Sequence, residues 1–175
     1  TLSDILDEVD PDACRLTFLL GSIDTSMSFD LDVVTAKSMD NPVYYVQYAH
    51  ARIMSIGRKA AAQGIDRVPI EKVDLSVLVH ERELELLRLL AGYPDVVAEA
   101  AAFRSPQKVT TWVREFAGRF HSFYHDCRVV TDNPELTQAR LWLTEACRIG
   151  FAAALALLGV SAPDEMVRLD EGIDQ

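Results

Sequence analysis

Apolar residues recur at every third or fourth position over much of this chain, a spacing typical of α-helices that bury one face. The first long helix is predicted over residues 42–62. Its apolar face consists of Val46, Ala49, Ile53, Ile56 and Ala60. Asp40 or Asn41 can accept hydrogen bonds from the first free amides, and Pro42 has a φ angle suited to a first turn. We expect this helix to end near Gly64.

Two further long helices are predicted in the second half of the chain. Residues 106–126 carry a bulky apolar stripe that indicates a central core helix. This stripe consists of Val109, Trp112, Val113, Phe116, Phe120 and Phe123. Residues 135–158 form the other helix, which Asn133 and Pro134 can start and Gly159 can end. The small residues that let neighbouring helices approach it are Ala139, Ala146, Gly150, Ala153 and Ala154.

The remaining segments are predicted to be shorter elements. A helix is expected from Pro11 to Leu20, and another over residues 81–91. A separate helix is expected to restart at Pro94 and to reach about Phe103. Residues 29–34 alternate apolar and acidic side chains, which fits a short strand or a helix turn equally. The chain is therefore predicted to be all-α, a bundle of several mostly antiparallel helices with a short mixed N-terminal segment.

Composition places the chain among ordinary globular domains. It has 175 residues, of which 49% are hydrophobic and 25% charged, enough for one domain or a domain with part of another. The three cysteines, Cys14, Cys127 and Cys147, are too few and scattered for a disulfide framework, which favours a reducing, cytoplasmic location. We expect no membrane association, since the sequence has no uninterrupted apolar run of about 18–20 residues.

Charge is unevenly distributed along the sequence. The chain has 17 basic and 27 acidic residues, a net charge of −10. The first 40 residues hold nine acids and two bases, and residues 164–175 hold five acids and one base. Residues 41–163 therefore carry 13 acids and 14 bases, and residues 41–65 carry no acid at all. A locally cationic surface of this kind is compatible with phosphate contact.

A second face of the first long helix combines aromatic rings with positive charge. Tyr45, Tyr48, Arg52 and Lys59 follow one another at spacings of three, four and seven. Such a face can stack unpaired bases, each contributing about 1–3 kcal/mol, while the cations contact phosphates. The alternative is that the tyrosines fill gaps between helices. Helical spacing alone leaves both interpretations open.

Four stretches of the chain resemble one known family. DNPVYYVQYAHAR, residues 40–52, closely resembles the start of the anticodon-binding domain of arginyl-tRNA synthetases, which are class I enzymes. FHSFYHDCRV, residues 120–129, resembles that family's core helix, and residues 137–166 resemble its closing helix. Residues 1–34 are similar to the piece that follows the ATP-binding KMSKS loop. The resemblance implies a catalytic-domain remnant over 1–40, a helical anticodon-binding bundle over 41–166 and an acidic tail over 167–175.

The resemblance implies recognition of the anticodon loop of arginine tRNA. Tyr45, Tyr48 and Tyr124 match positions where the family presents rings to that loop, and Met166 matches its terminal methionine. The predicted RNA-binding residues are Tyr45, Tyr48, Arg52, Lys59, Arg119, Tyr124, Arg128 and Met166. Gln47, His50 and Arg52 also match the family motif, through either RNA contact or buried hydrogen bonds. DNA is not an expected partner.

Catalysis is not expected of this chain by itself. It contains neither a HIGH-type nor a KMSKS-type signature and no glycine-rich phosphate loop, so we predict no catalytic residue and no cofactor here. The resemblance implies a longer synthetase, in which a catalytic domain of the same polypeptide charges tRNA with arginine using ATP and magnesium. The tail over 167–175 is expected to be disordered.

Two other interpretations come from different protein classes. His121 and His125 are four residues apart with Asp126 and Cys127 nearby, a fragment of a metal site. Since no second cluster in the sequence completes it, no metal is predicted. The strongest rival is a helical protein-interaction module whose aromatic rows dock a partner helix.

Overall fold

The computed structural model describes residues 5, 8–24 and 26–166. Within these residues six α-helices and no strand are present. The helices are α1 (Pro11–Phe18), α2 (Leu31–Thr35), α3 (Pro42–Ala62), α4 (Glu81–Ala102), α5 (Gln107–Asp126) and α6 (Pro134–Leu158). Two 3₁₀ turns, Ile70–Lys72 and Leu75–Val77, lie in the connection between α3 and α4. The predicted all-α helical bundle is confirmed, while the predicted tail over 167–175 lies outside the described residues.

The ends of α3 and α6 are set by local capping. The Asn41 side chain accepts a hydrogen bond from the Val43 amide at 3.1 Å, so Asn41 is the cap of α3. Asn133 caps α6 in the same way, and Gly159 ends α6 in the left-handed conformation with φ 66°. A residue with a Cβ would be strained at that φ, which explains why a glycine serves there. Both helices begin and end within one residue of their predicted bounds.

Helix α5 forms the centre of the core. All six residues of its predicted apolar stripe are buried. The Phe116 ring stacks on Phe151 of α6 with centroids 4.6 Å apart, and Trp112 lies 4.7 Å from Phe116. Gly150 of α6 leaves room for this packing, since a Cβ there would lie 2.8 Å from Cδ2 of Leu90. The predicted close approach at a small residue of α6 is therefore confirmed at Gly150.

Helix α4 runs without a break through Pro94, so the predicted restart at this proline is wrong. Proline cannot donate to the carbonyl four residues earlier and often ends a helix. Here α4 packs closely against α5. The Trp112 indole of α5 donates to the Leu89 carbonyl at 3.1 Å, and the Tyr93 ring lies 4.4 Å from Trp112. Tertiary packing outweighs the local preference, a general limit of propensity arguments.

The N-terminal segment is helical where it is described. α1 begins as predicted, with the Asp10 side chain accepting from the Asp12 amide, and ends at Phe18, two residues earlier than expected. The open choice over residues 29–34 resolves as a helix, because Asp30 caps α2 by accepting from the amides of Asp32 and Val33. α1 packs against α3. The predicted domain division at residue 40 stays a prediction.

Helix α6 is long and apolar enough to resemble a membrane span, with a mean hydropathy of 1.5 over its most apolar window. Half of that window is buried inside the bundle. This burial is expected of a core helix that packs against three others, as α6 packs against α3, α4 and α5. The apolar character of α6 is thus accounted for by the fold.

Candidate nucleic-acid interface

An open pocket of about 280 Å³ is lined by three of the four predicted aromatic and cationic residues of α3, namely Tyr48, Arg52 and Lys59. It lies between the middle of α3, the end of α5 and the segment that follows α6. Its lining consists of Tyr48, Ala51, Arg52, Ser55, Arg58, Lys59, Tyr124, Glu165 and Met166. We call this the stacking pocket. Five of the eight predicted RNA-binding residues are brought together here, from positions as distant as 48 and 166 in the sequence.

Arg52 joins the two aromatic side chains of the stacking pocket. Its guanidinium carbon lies 4.7 Å from the ring centroid of Tyr48 and 4.6 Å from that of Tyr124. One Arg52 nitrogen donates to the Tyr48 hydroxyl at 3.4 Å, and another lies 3.3 Å from Nδ1 of His121. Tyr48 also stacks on the buried Tyr44 with centroids 5.8 Å apart. Cation–π contacts of this kind hold the rings and the guanidinium as one unit that spans α3 and α5.

The segment after α6, residues 161–166, lies along α3 and is fixed there by side chains of that helix. Gln47 donates to the carbonyl of Ser161 at 3.1 Å, and the buried His50 has its Nδ1 3.0 Å from the carbonyl of Pro163. Arg58 donates to the carbonyl of Asp164 at 3.2 Å. We call residues 161–166 the strap. These contacts place Met166, the last described residue, in the wall of the stacking pocket.

The N-terminal segment adds a further anchor to the strap. One Asp12 oxygen of α1 accepts from the Ser161 amide at 3.0 Å and from the Gln47 side chain at 3.0 Å. It also accepts from the Ser161 hydroxyl, and Arg15 donates to the carbonyl of Gly159. Gln47 and His50 thus use their hydrogen bonds inside the protein, which is the second of the two roles left open for them.

Tyr45 takes a different position from Tyr48. Its ring meets His121 of α5 edge-on with centroids 4.9 Å apart, and a Cβ at Gly118 would lie 3.1 Å from its hydroxyl. Tyr45 lines a separate open cleft with Arg114 and Glu115 of α5. Burial raises the pKa of Tyr45 above its usual value. Tyr45 therefore fills space between α3 and α5, which is the alternative role raised for the tyrosines.

Comparison with known proteins identifies the family. Residues 46–166 match the model of the DALR anticodon binding domain, which is more than half of the chain. The chain belongs to the DALR anticodon-binding domain family. The match includes every residue that lines the stacking pocket and extends to Met166.

Curated relatives and a solved structure agree with this DALR assignment. The chain is 48% identical over 166 residues to the arginine–tRNA ligase of Symbiobacterium thermophilum and 47% identical to that of Syntrophotalea carbinolica. In both cases the match covers 95% of this chain and 30% of the relative. The chain thus spans about a third of the length of these relatives. The Thermus thermophilus arginyl-tRNA synthetase structure matches 89% of this chain and 26% of its own, with 28% identity and a TM-score of 0.76.

Besides Tyr45, two predicted RNA-binding residues of the DALR domain lie outside the stacking pocket. Arg119 of α5 pairs with Glu85 at 3.1 Å and with Glu115 at 3.9 Å. Arg128 is exposed just after α5, where its backbone carbonyl accepts a hydrogen bond from Arg140. Neither arginine lines the pocket. Phosphate contact by Arg119 or Arg128 stays a prediction, and it would require an RNA that extends beyond the pocket.

The histidines of α5 do not come together as a metal site in the part of the chain that is described. No group of three or more His, Cys, Asp or Glu residues placed to hold an ion occurs there. His125 has its Nδ1 2.7 Å from Asp126, whereas His121 contacts Tyr45 and Arg52. The His125 contact and then Arg82 hold the pKa of Asp126 below its usual value.

Sequence reasoning missed four of the residues that line the stacking pocket, namely Ala51, Ser55, Arg58 and Glu165. Ala51 and Ser55 form small parts of the stacking-pocket wall, and Arg58 lines it while fixing the strap. Their positions follow from helical spacing, because Ala51 and Ser55 lie three and seven residues after Tyr48. Asp12 could not have been found in this way, since its partner Ser161 is 149 residues away in the sequence.

Proposed function

We propose that this DALR domain binds the anticodon loop of arginine tRNA through the stacking pocket. The observation that supports this proposal most directly is that the guanidinium of Arg52 contacts the rings of both Tyr48 and Tyr124, with Met166 in the same pocket. Aromatic rings and an arginine plane accept unpaired bases by stacking. The four residues come from three separate stretches of sequence, all inside the family match.

Each group at the pocket has a distinct role in this proposal. The rings of Tyr48 and Tyr124 supply stacking surface, and Arg52 keeps them at a fixed separation. Lys59 and Arg58 are exposed cations on α3 that meet the phosphates beside the stacked bases. The side chain of Met166 packs against a base from the strap side, a suitable role for a flexible, polarisable side chain.

We further propose that the chain acts as part of an arginine–tRNA ligase. The relatives that cover 95% of the chain carry that name, and their remaining length provides for a catalytic domain. In this proposal the whole enzyme joins arginine to its tRNA with ATP and magnesium in the cytoplasm. This DALR domain contributes no catalytic residue and holds no cofactor, so it supplies selection of the tRNA.

The test is the binding of a labelled arginine anticodon stem-loop, measured by fluorescence anisotropy. Tyr48→Ala should weaken binding by about 1–3 kcal/mol, roughly 5- to 150-fold in Kd, because one stacking surface is lost. The matched variant Tyr48→Phe keeps the ring and should bind within a few-fold of the parent. A stem-loop with an altered anticodon controls for specificity.

Two results would reject the proposal. One is equal affinity for the altered and the arginine anticodon. The other is an unchanged Kd for Tyr48→Ala in a variant that unfolds at the same temperature as the parent. The rival protein-interaction module predicts no binding to either stem-loop.

A further inference from the structure

A second groove, of about 640 Å³, runs beside the stacking pocket. It lies between the second half of α3, the residues just after that helix and the middle of α6. Apolar side chains that include Ile53, Ala60 and Leu141 form its floor, and Arg58, Arg67 and Arg148 stand at its edges. None of the eight residues predicted from the sequence to bind RNA lines it. We call it the arginine groove.

Arg67 is held in one orientation at this groove. Its Nη1 lies 2.6 Å from Oε2 of Glu145, and its guanidinium carbon lies 5.3 Å from the ring centroid of Trp142. The Arg67 side chain is nevertheless 40% exposed. A guanidinium already ordered by a ring and a carboxylate loses less conformational freedom when it binds an anion.

Arg148 is ordered by the same carboxylate. Its Nε and Nη2 donate to the two oxygens of Glu145 at 3.0 and 2.8 Å, and the side chain is 36% exposed. Contacts with Arg148 and then with Arg67 lower the pKa of Glu145 to about 2, so this carboxylate is ionised at neutral pH. One carboxylate thus faces two guanidinium groups, each of which has five N–H donors.

The residues that line the groove carry a small excess of positive charge. Arg58, Arg67 and Arg148 stand against Glu145 and Asp66 in the lining, a net charge of +1 in a chain whose total is −10. Two carboxylates of the strap act on these arginines as well, since Asp164 acts on Arg148 and Glu165 lies 3.7 Å from Arg58. The positive charge is therefore centred on Arg67 and Arg148, which share the carboxylate of Glu145, and it suits contact with one or two phosphates rather than a highly charged ligand.

The arginine groove is continuous with the stacking pocket. Arg58 lines both, and both use the wall of α3 in the stretch of residues 41–65 that has no Asp or Glu. An RNA strand whose base stacks at Tyr48 and Tyr124 and which continues along α3 towards its C-terminal end meets the groove next. Phosphodiester groups are singly charged anions that guanidinium groups bind with paired hydrogen bonds.

We propose that the arginine groove binds the phosphodiester backbone of the same RNA, next to the nucleotide held in the stacking pocket, through Arg67 and Arg148. This inference rests on the proposed function and extends it to a second contact surface. Glu145 holds the two arginines in place, and its negative charge neutralises part of their combined positive charge. Its removal and the removal of the arginines therefore have opposite effects on RNA affinity.

The first experiment uses the double variant Arg67→Ala/Arg148→Ala and the arginine anticodon stem-loop across a salt series. Loss of two phosphate contacts should reduce the slope of log affinity against log salt by about 1.4 and weaken binding about tenfold at low salt. Arg88→Ala removes an exposed arginine of α4, whose partner Glu81 is 2.7 Å away, and serves as the matched control with an unchanged slope.

Glu145→Gln provides the second experiment, and it carries the test alone if the double variant does not fold. Glutamine keeps an acceptor oxygen for the arginines but removes the negative charge, so affinity should rise several-fold and the salt slope should steepen. A variant that merely disturbed the structure would bind more weakly. Lowered or unchanged affinity for Glu145→Gln would overturn the proposal.

A modified RNA distinguishes the bound phosphodiester from a general charge effect. Neutral methylphosphonates replace the loop phosphates one at a time. At a phosphate that the groove holds, the replacement should weaken binding to the parent chain but should not weaken binding to the double variant further. If no position behaves in this way, the groove does not hold the RNA backbone. Tyr48→Ala separates the two proposals. If Tyr48→Ala weakens binding but the double variant does not, the proposal for the arginine groove is rejected and the proposal for the stacking pocket stands.

Discussion

Two arginines of this domain are held in opposite ways. Arg140 of α6 is buried, and its Nε lies 2.6 Å from an oxygen of Glu83, a fully buried residue of α4. Arg52 of α3 lies between the rings of Tyr48 and Tyr124 at an open pocket. A buried carboxylate pairs with the first, whereas the faces of two aromatic rings contact the second at the surface. The surroundings of an arginine, rather than the residue type, distinguish a structural ion pair from part of a binding surface.

The buried pair also shows how completely such a charge is satisfied. The second oxygen of Glu83 accepts from the His80 amide at 2.8 Å, as part of the cap of α4. Arg140 donates again to the Arg128 carbonyl at 2.6 Å. Since each charged group has more than one partner, removal of either one leaves the other buried without its counter-charge.

The largest expected effect comes from breaking this buried pair. Arg140→Met should lower the free energy of unfolding by about 3–5 kcal/mol, because Glu83 would remain charged in the interior. Urea denaturation followed by circular dichroism measures the change. A loss below about 1 kcal/mol would mean that water or another cation reaches Glu83, and the contrast with Arg52 would then disappear.

An effect of intermediate size is expected at Arg52, and it should appear in RNA binding rather than in stability. Tyr124→Ala removes one of the two rings that hold Arg52 and should weaken stem-loop binding by about 1–3 kcal/mol. Tyr124 is only partly buried, so the unfolding temperature should change little. Tyr124→Phe keeps the ring and should bind like the parent. A large loss of stability in Tyr124→Ala would instead assign Tyr124 to the core.

The smallest effect is expected where an arginine pair is mostly exposed to solvent. Arg88 and Glu81 are 2.7 Å apart on α4, with about two thirds of each side chain exposed. Arg88→Ala should change the free energy of unfolding by less than about 0.5 kcal/mol, since exposed pairs gain little over water. The same urea series measures it. A change comparable to that of Arg140→Met would show that burial does not govern these pairs.

The sequence allowed much of the fold to be predicted where the signals were local. Caps at Asn41 and Asn133 and the glycine at position 159 act on their own helices, so α3 and α6 were placed within one residue. Pro94, in contrast, lies inside α4 because this helix packs through Tyr93 against Trp112, a contact that no local sequence pattern reveals.

In the candidate site, too, local patterns predicted some features, whereas contacts between distant residues could not be predicted. Spacing put Tyr45 and Tyr48 on one face of α3, yet the ring of Tyr45 meets α5 at His121 and lines a different cleft. The convergence of Tyr48, Tyr124 and Met166 followed from the family resemblance and not from spacing. The strap contacts of Gln47 and His50 join residues more than 110 positions apart, a relation that helix periodicity does not contain.

The way in which the strap is attached has a consequence for how its sequence can vary. α3 holds it at the main-chain oxygens of Ser161, Pro163 and Asp164, groups that every amino acid carries. Point replacements along the strap would leave those anchors available. Insertion or deletion of a single residue, in contrast, would shift every following position by about 3.3–3.6 Å and carry the thioether of Met166 away from the two tyrosines.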